Sequence, residues 1–188
     1  MKKYLFLCIS ILCIVNASSQ ALPSLDLNPF PYNKESGKIE FIGVENSNLK
    51  LLSLFRNAKT WATTTKSIYS DESRPYKANI KMEDSATGRI IIECLFTSYI
   101  PARYSSPDMT VKSYFDITID CKDNKYRYKI SDYADYMKYG DKEYLKTFET
   151  YHDDFKNNND RKSVLEKKNF FNSIINSLKE SMKINDDF

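Results

Sequence analysis

A twenty-residue stretch in the middle of the chain constrains the fold more than any other feature. Residues 114–121 and 126–133 both alternate between apolar and polar side chains, and Asp123-Asn124 between them is typical of a two-residue β-turn. This turn places four cross-strand pairs opposite each other: Ile117 with Ile130, Thr118 with Lys129, Ile119 with Tyr128, and Asp120 with Arg127. Because apolar pairs share one face and an opposite-charge pair lies on the other, the register is well specified. The sequence therefore predicts an antiparallel hairpin with one buried face.

Three further strands are indicated before this hairpin. Residues 78–83 and 89–99 flank a loop closed by Gly88, and an earlier strand covers residues 38–44. In the second strand of the 78–99 pair, the core face carries alternating side chains: Ile90, Ile92, Cys94 and Phe96. If the following connection turns through about residues 100–110, Cys94 lies opposite Ile117. Cys121 is then about 13 Å away at roughly 3.3 Å per residue, beyond the ~7 Å Cα limit of a disulfide, so we expect two buried thiols.

Two amphipathic helices complete the pattern. Ser47 is the expected cap of a helix that runs to about Lys66, and one face of it is apolar: Leu51, Leu54, Phe55, Ala58, Trp61 and Ala62. A second helix begins at a capping box formed by Ser163 and Glu166. Its apolar stripe contains Phe171, Ile174, Ile175, Leu178 and Met182.

The order of these elements predicts an α+β domain. The elements follow one another along the chain in the order β-α-β-β-β-β-α. This order predicts an antiparallel sheet of about five strands with the helices on one face. Residues 134–160 are rich in Tyr, Lys and Asp and have weak periodicity, so they are interpreted as a polar linker. The predicted organisation is a domain over residues 36–135, followed by residues 136–188 as linker and C-terminal helix packed on the same domain.

The N-terminus predicts export. Lys2 and Lys3 precede an apolar stretch from Tyr4 to Val15, which is too short for a bilayer-spanning helix, and small residues follow at Ala17 and Ser19. Residues 1–19 are therefore interpreted as a signal peptide and residues 20–35, with three prolines, as an extended lead-in. Cleavage leaves 26 basic and 25 acidic residues. We expect a periplasmic, cell-surface or extracellular protein without a transmembrane segment, and the small net charge disfavours nucleic acid as a partner.

Several short motifs together resemble a known family. They are Ser36-Gly37-Lys38-Ile39, Ala58-Lys59-Thr60-Trp61, the run from Ser85 to Ile91, and the run from Phe115 through Asp123-Asn124 to Tyr133. The chain resembles, over roughly residues 30–135, a secreted Gram-negative bacterial domain of unknown function with a TATA-binding-protein-like (TBP-like) fold (domain of unknown function family 4468). The resemblance implies that α+β fold. It implies no activity and transfers no functional residue.

No catalytic, cofactor-binding or metal-binding residue is predicted from the sequence. His152 lies in a polar segment that is interpreted as a solvated loop, and a single histidine does not make a zinc site. Cys94 and Cys121 lie on predicted core faces, where a cysteine usually packs as a small hydrophobe rather than as a nucleophile. Glu93 with Asp116 or Asp120 could form a carboxylate pair on the sheet, although surface charge pairing is the simpler interpretation.

The second face of the sheet is the candidate partner surface. It combines apolar, aromatic and charged side chains, a composition typical of docking surfaces: Ile91, Leu95, Tyr99, Tyr114, Thr118, Arg127 and Lys129. The alternative is that residues 134–160, or a second copy of the chain, cover this face. Two function classes follow. The first is a non-enzymatic binding or scaffold module of the cell envelope, with an envelope protein or a glycan as partner. The alternative is a hydrolase that acts on an envelope polymer through sheet-face carboxylates.

Overall fold

The computed structural model describes residues 30–64, 76–100, 109–156 and 161–184, with the side chains of Tyr76, Tyr99, Ile100 and Lys156 excepted. The predicted signal peptide and residues 20–29 of the lead-in lie outside the described residues. The strands are β1 (Tyr32–Asn33), β2 (Lys38–Ile39), β3 (Phe41–Asn46), β4 (Tyr76–Asp84), β5 (Arg89–Ile100), β6 (Met109–Lys122), β7 (Lys125–Tyr139) and β8 (Lys142–Thr147). The helices are α1 (Leu51–Thr64), α2 (Phe148–Lys156) and α3 (Arg161–Ser181).

The described part of the chain forms one antiparallel sheet of six strands with helices on one face. The sheet order is β3-β7-β6-β5-β4, and β8 also pairs with β7. Strand β7 is long enough to hold two neighbours on the same edge, since β3 pairs with residues 125–130 and β8 with residues 134–139. Strands β1 and β2 form a separate small ribbon. The predicted α+β class with an antiparallel sheet is confirmed, and β8 adds a strand to the expected five.

The central hairpin has the predicted register. Strands β6 and β7 turn at Asp123-Asn124, where Asn124 adopts a φ of 63°, and all four expected cross-strand pairs are present. In the β4–β5 hairpin, Gly88 has a φ of 71°, and a Cβ there would lie 2.4 Å from the carbonyl oxygen of Cys121. Glycine is required at this turn because a side chain would meet both a left-handed backbone and a neighbouring strand.

The β5–β6 register differs from the expected one by two residues. Cys94 pairs with Phe115, and Ile92 pairs with Ile117. Cys121 is therefore six residues beyond the partner of Cys94, about 20 Å at roughly 3.3 Å per residue. Both cysteines are buried, and they are not bridged to each other. Residues 101–108, between these two strands in sequence, lie outside the described residues.

Helix α1 does not begin as the sequence suggested. It starts at Leu51, and the Ser47 hydroxyl accepts a hydrogen bond from the amide of Leu49 (3.2 Å). The amide of Leu51 instead donates to Oδ1 of Asp123, at the tip of the β6–β7 hairpin (2.9 Å). An aspartate 72 residues away in sequence thus supplies the acceptor that a local cap normally provides. The predicted apolar face is buried at Leu54, Ala58, Trp61 and Ala62.

The predicted linker covers residues 134–160, and its described part, residues 134–156, contributes instead to the sheet and the helical layer. Strand β7 continues to Tyr139, β8 follows, and α2 occupies residues 148–156. The β6–β7 register shifts between Tyr114 and Asp116, and Asp132 has a φ of 56°. This bulge breaks the alternation of side chains, which is why the periodicity of the segment is weak.

Helix α3 begins at Arg161, two residues before Ser163, so the expected capping box of Ser163 and Glu166 is wrong. The predicted apolar stripe is correct, because all five of its side chains are buried. Phe171 lies at the centre of an aromatic cluster, with ring centroids 5.1–5.3 Å from Phe41, Phe115, Tyr133 and Phe148. These contacts attach α2 and α3 to the sheet. Among the described helices, none is long and apolar enough to span a bilayer.

Candidate functional site

The sheet face that points away from the helices is the open face. The register arranges its side chains in rows that cross the strands. The first row, at the end nearest the Asp123-Asn124 turn, contains Asp84, Arg89, Asp120, Arg127 and Val44. The second row contains Met82, Ile91, Thr118, Lys129 and Ile42. Within the described ranges, residues 134–156 do not cross this face, because they form strands of the same sheet and a helix on its opposite side.

The structure brings together most of the residues of the predicted partner surface. Ile91, Thr118 and Lys129 are direct neighbours in the second row. Leu95 lies opposite Tyr114 in a separate row. On each strand this row is two residues away from the Glu93–Asp116 pair, on the side distant from the Asp123-Asn124 turn. Arg127 belongs to the first row, and the side chain of Tyr99 lies outside the described residues. The predicted surface is therefore a band across the sheet rather than a single pocket.

The first row contains a compact arrangement of two arginines around one aspartate. Asp120 accepts from Nε of Arg89 (2.6 Å), and its second oxygen accepts from Nη2 (2.6 Å) and Nε (3.1 Å) of Arg127. Burial opposes the charge on Asp120, but the hydrogen bonds from both guanidinium groups outweigh it and hold the pKa of this carboxyl below its usual value. Asp120 is therefore a fixed anion that orients two cations.

These three residues lie in a groove of about 560 Å³ at the hairpin end of the sheet. We call it the arginine groove and define its polar lining as Asp84, Arg89, Asp120, Lys122, Lys125 and Arg127. Val44 and Met82 form its apolar walls. Sequence reasoning included only Arg127 of this set in the partner surface. The predicted Asp120–Arg127 pair was a signal for part of the groove, but the expected β5–β6 register placed Arg89 opposite Lys122 instead of Asp120.

The predicted carboxylate pair forms an ion-paired group at the middle of the open face. Glu93 lies directly opposite Asp116, and Nζ of Lys81 is 3.5 Å from an oxygen of each. The two carboxylates raise the pKa of Lys81, so the ammonium stays charged between them. Lys129 in the second row is similarly paired, with Glu40 at 3.3 Å. The geometry is that of charge pairing, which was the simpler of the two interpretations of these carboxylates.

Apolar side chains are exposed beside these ion pairs. Val44 keeps 62% of its surface accessible, Ile42 45% and Met82 39%. All three are at the ends of the first two rows, on the edge strands β3 and β4. Exposed apolar groups therefore lie beside oriented charges at both edges of this face.

Sequence reasoning missed a buried polar cluster on the helix side of the sheet. Asp135 in β7 is fully buried and accepts from the hydroxyls of Ser113, Tyr133 and Tyr151, with 2.6 Å for each tyrosine. Nζ of Lys167 in α3 donates to Asp135 (2.7 Å) and to the Tyr133 hydroxyl (2.8 Å). Burial opposes ionisation of Asp135, but the charge of Lys167 and the four hydrogen bonds hold its pKa below the usual value. The cluster joins β6, β7, α2 and α3.

The remaining reactive side chains show no catalytic arrangement. Burial raises the pKa of the Cys121 thiol to about 12, so this cysteine is protonated at neutral pH and is a poor nucleophile. His152 lies in helix α2 and is half-buried, which corrects the predicted solvated loop. In the part of the chain that the structure describes, His, Cys, Asp and Glu side chains do not gather into groups of three that could hold a metal ion.

Comparison with known proteins identifies the domain. Residues 42–134 match the model of a domain of unknown function (DUF4468) with TBP-like fold. These residues are similar to the DUF4468 family. They begin in β3 and end in β7 at Ala134, one residue before Asp135. Strands β4, β5 and β6 lie wholly within this range, and β3 and β7 lie within it except for Phe41 and residues 135–139.

Two solved structures are similar to the chain. A DUF4468 family protein from Bacteroides ovatus ATCC 8483 has 12% identity, a TM-score of 0.57, and coverage of 85% of this chain and 94% of that one. A TBP-like protein from Parabacteroides distasonis ATCC 8503 has 17% identity, a TM-score of 0.49, and coverage of 80% and 97%. The first likeness shows the fold. The comparison with curated proteins gives no match.

Proposed function

We propose that this protein is a non-enzymatic binding module of the cell envelope, and that its open sheet face is the binding surface. The observation that carries the proposal is the combination of exposed apolar side chains and oriented charges on a face that the described helices leave uncovered. Ile42, Val44 and Met82 are exposed there, although a folded chain usually buries such side chains. Partner contact would remove this apolar surface from water.

The charge arrangement favours binding over hydrolysis. A glycosidase needs one carboxyl with a raised pKa to act as general acid. On the open face, the arginines lower the pKa of Asp120, and Lys81 bridges Glu93 and Asp116. Asp120 therefore stays ionised and cannot act as the general acid, and Glu93 and Asp116 are both occupied by an ion pair with Lys81.

Export is the second part of the proposal, and it rests on the N-terminal sequence. Intact-mass analysis of the protein recovered from the envelope fraction of its host should give a chain that begins at Gln20, with or without cyclisation of that residue. The control is the same chain with Ile9 and Leu12 replaced by Arg, which should remain at full length in the cytoplasm because the apolar stretch is interrupted. A full-length chain in the wild-type envelope fraction, or a lipid-modified cysteine, contradicts this part of the proposal.

The binding surface can be tested by site-specific photocrosslinking in the host. A benzophenone side chain at Ile42, on the open face, should give a discrete crosslinked species. The same group at Asn169, an exposed position of α3 on the opposite side, should not. Leu95→Glu should weaken the interaction by about 1–3 kcal/mol, as expected for a central apolar contact. Equal crosslinking from Ile42 and Asn169 would sink the proposal.

A further inference from the structure

The arginine groove contains hydrogen-bond donors that the protein itself does not use. An arginine side chain has five N–H donors. Arg89 engages Asp120 through Nε alone, and Arg127 through Nε and Nη2. Within the described ranges, both terminal nitrogens of Arg89 and Nη1 of Arg127 have no protein acceptor. Because Asp120 fixes the two guanidinium groups, these donors are oriented before any ligand arrives.

The groove also contains a repulsion that an anion would relieve. Lys122 and Lys125 lie directly opposite each other across the turn, and both are exposed. Like charges in this position destabilise a hairpin. In the part of the chain that the structure describes, neither lysine makes an ion pair. With Arg89 and Arg127, the groove has four cations against the two carboxylates Asp84 and Asp120, an excess of two positive charges.

The two carboxylates limit which anion fits. The Asp84 carboxylate is engaged by the hydroxyl of Thr87 (2.7 Å), a contact that lowers its pKa and keeps it negative. A nucleic acid is bound by neutralising many successive phosphates, and an excess of two charges beside fixed carboxylates does not supply that. One or two carboxylate groups match the excess charge, and the planar guanidinium binds a carboxylate with two parallel hydrogen bonds.

The walls of the groove indicate what else the ligand contains. Val44 and Met82, exposed at opposite ends of the first two rows, flank the charged floor. A ligand that covers the groove therefore needs apolar groups next to its carboxylates. An extended peptide provides this combination, since its successive side chains point to opposite sides and those at i and i+2 share one face.

We propose that the arginine groove binds an acidic peptide segment in which carboxylate and apolar side chains are both present. The inference rests on the proposed function, because it names the partner class of the same open face. The carboxylates of the segment accept from the terminal nitrogens of Arg89 and Arg127 and lie close to Lys122 and Lys125. Its apolar side chains cover Val44 and Met82.

The test is a binding measurement on the exported chain with a fluorescein-labelled heptapeptide of the order valine-serine-glutamate-serine-glutamate-serine-valine, in which the valines and glutamates share one face of the extended peptide. Wild-type protein should bind this peptide, and raised salt should weaken the binding. Arg89→Gln should weaken it at least tenfold. Arg89→Lys should weaken it several-fold, because the charge remains while the planar pair of donors is lost. Lys162→Gln, the same loss of charge on exposed α3, should leave binding unchanged.

Three results overturn the inference: equal binding of the same peptide with glutamine in place of glutamate, unchanged binding by Arg89→Gln, or preference of the groove for a ten-nucleotide thymidine strand or a uronic acid trimer. Thermal melts verify that Arg89→Gln is folded, which is expected because Asp120 keeps Arg127 as a partner. If the peptide fails to bind while crosslinking from Ile42 persists, only the partner class is wrong. If crosslinking from Ile42 matches that from Asn169, the proposed function itself fails.

Discussion

Replacing Asp135 by alanine is expected to lower the free energy of unfolding by about 3–5 kcal/mol, the cost of breaking a buried ion pair by removing one partner. The carboxylate is fully buried, and the side chain of Lys167 retains 20% exposure. Without Asp135, the Lys167 ammonium and the hydroxyls of Ser113, Tyr133 and Tyr151 lose their common acceptor. Chemical denaturation of the wild type and the variant measures the difference. A loss below about 1 kcal/mol would show that the cluster does not attach α2 and α3 to the sheet.

A double-mutant cycle separates the ion pair from the loss of packing. Lys167→Met alone leaves Asp135 without its cation and should also destabilise the fold. The combination of Asp135→Ala and Lys167→Met removes both charges, and replacing a buried pair by apolar groups is much less costly than breaking it. The double variant should therefore be more stable than the sum of the single effects predicts, by about 1–3 kcal/mol. Simple additivity would mean that the two charges do not interact.

Asp135 also makes the free energy of unfolding depend on pH, in a direction that follows from its pKa. Lys167 and the hydroxyl donors outweigh burial and depress the pKa of Asp135 in the folded state. A group with a depressed pKa contributes its stabilisation above the unfolded value of about 3.9, and this stabilisation is lost as pH falls through the folded value. Below about pH 4 the wild type should thus lose more stability than Asp135→Ala does. Parallel loss of stability in both proteins would contradict the assignment.

The central hairpin could be predicted from sequence because each of its two faces supplied separate information. Ile117 and Ile119 pair with apolar residues on the core face, and Asp120 pairs with Arg127 on the open face. A slip by one residue would bury the charges and expose the isoleucines, so one register satisfies both faces. The β5–β6 register lacked this constraint, because a long connection rather than a two-residue turn joins those strands.

The second half of β7 and strand β8 could not be predicted because the usual signals are reversed there. After the bulge near Asp132, the buried position is Asp135, and the exposed ones include Tyr136 and Leu145. When a polar residue occupies a core position and apolar residues lie on the surface, the alternation typical of a strand is absent, and the sequence pattern predicts a loop. The partner that makes Asp135 acceptable, Lys167, is 32 residues away in sequence. The sequence around Asp135 does not indicate this pairing.

The candidate site was predicted in part for the same reason. The alternation of β6 placed Thr118 on the open face, and that of β7 placed Lys129 and Arg127 there. The arginine groove needs Arg89 as well, which depends on the β5–β6 register that sequence did not determine. The cap of α1 by Asp123 is also a tertiary contact. In each case the missing information was which strand or turn lies next to which.

The two sheet faces should respond in opposite ways to the same substitution. Ile92 is 1% exposed and lies on the core face between Ile80 and Ile117. In Ile92→Glu the carboxyl must be protonated to be buried, and raising its pKa from about 4.3 to above 7 costs about 3–4 kcal/mol at neutral pH. Loss of the buried side chain adds about 2–3 kcal/mol. The total approaches the whole stability of an ordinary domain, about 5–15 kcal/mol, so this variant is expected to be largely unfolded.

Leu95→Glu should instead stay folded, with a change of about 1 kcal/mol or less in the free energy of unfolding. Leu95 is on the open face, half-buried, and lies opposite Lys77 across the β4–β5 pair, so a glutamate there gains a cation as neighbour. Thermal melts followed by circular dichroism compare the two variants directly, with Leu95→Ala as control for the lost side chain. Equal destabilisation by Leu95→Glu and Ile92→Glu would mean that the open face is covered in the intact protein. A binding surface there would then be excluded, because no partner could reach it without unfolding the chain.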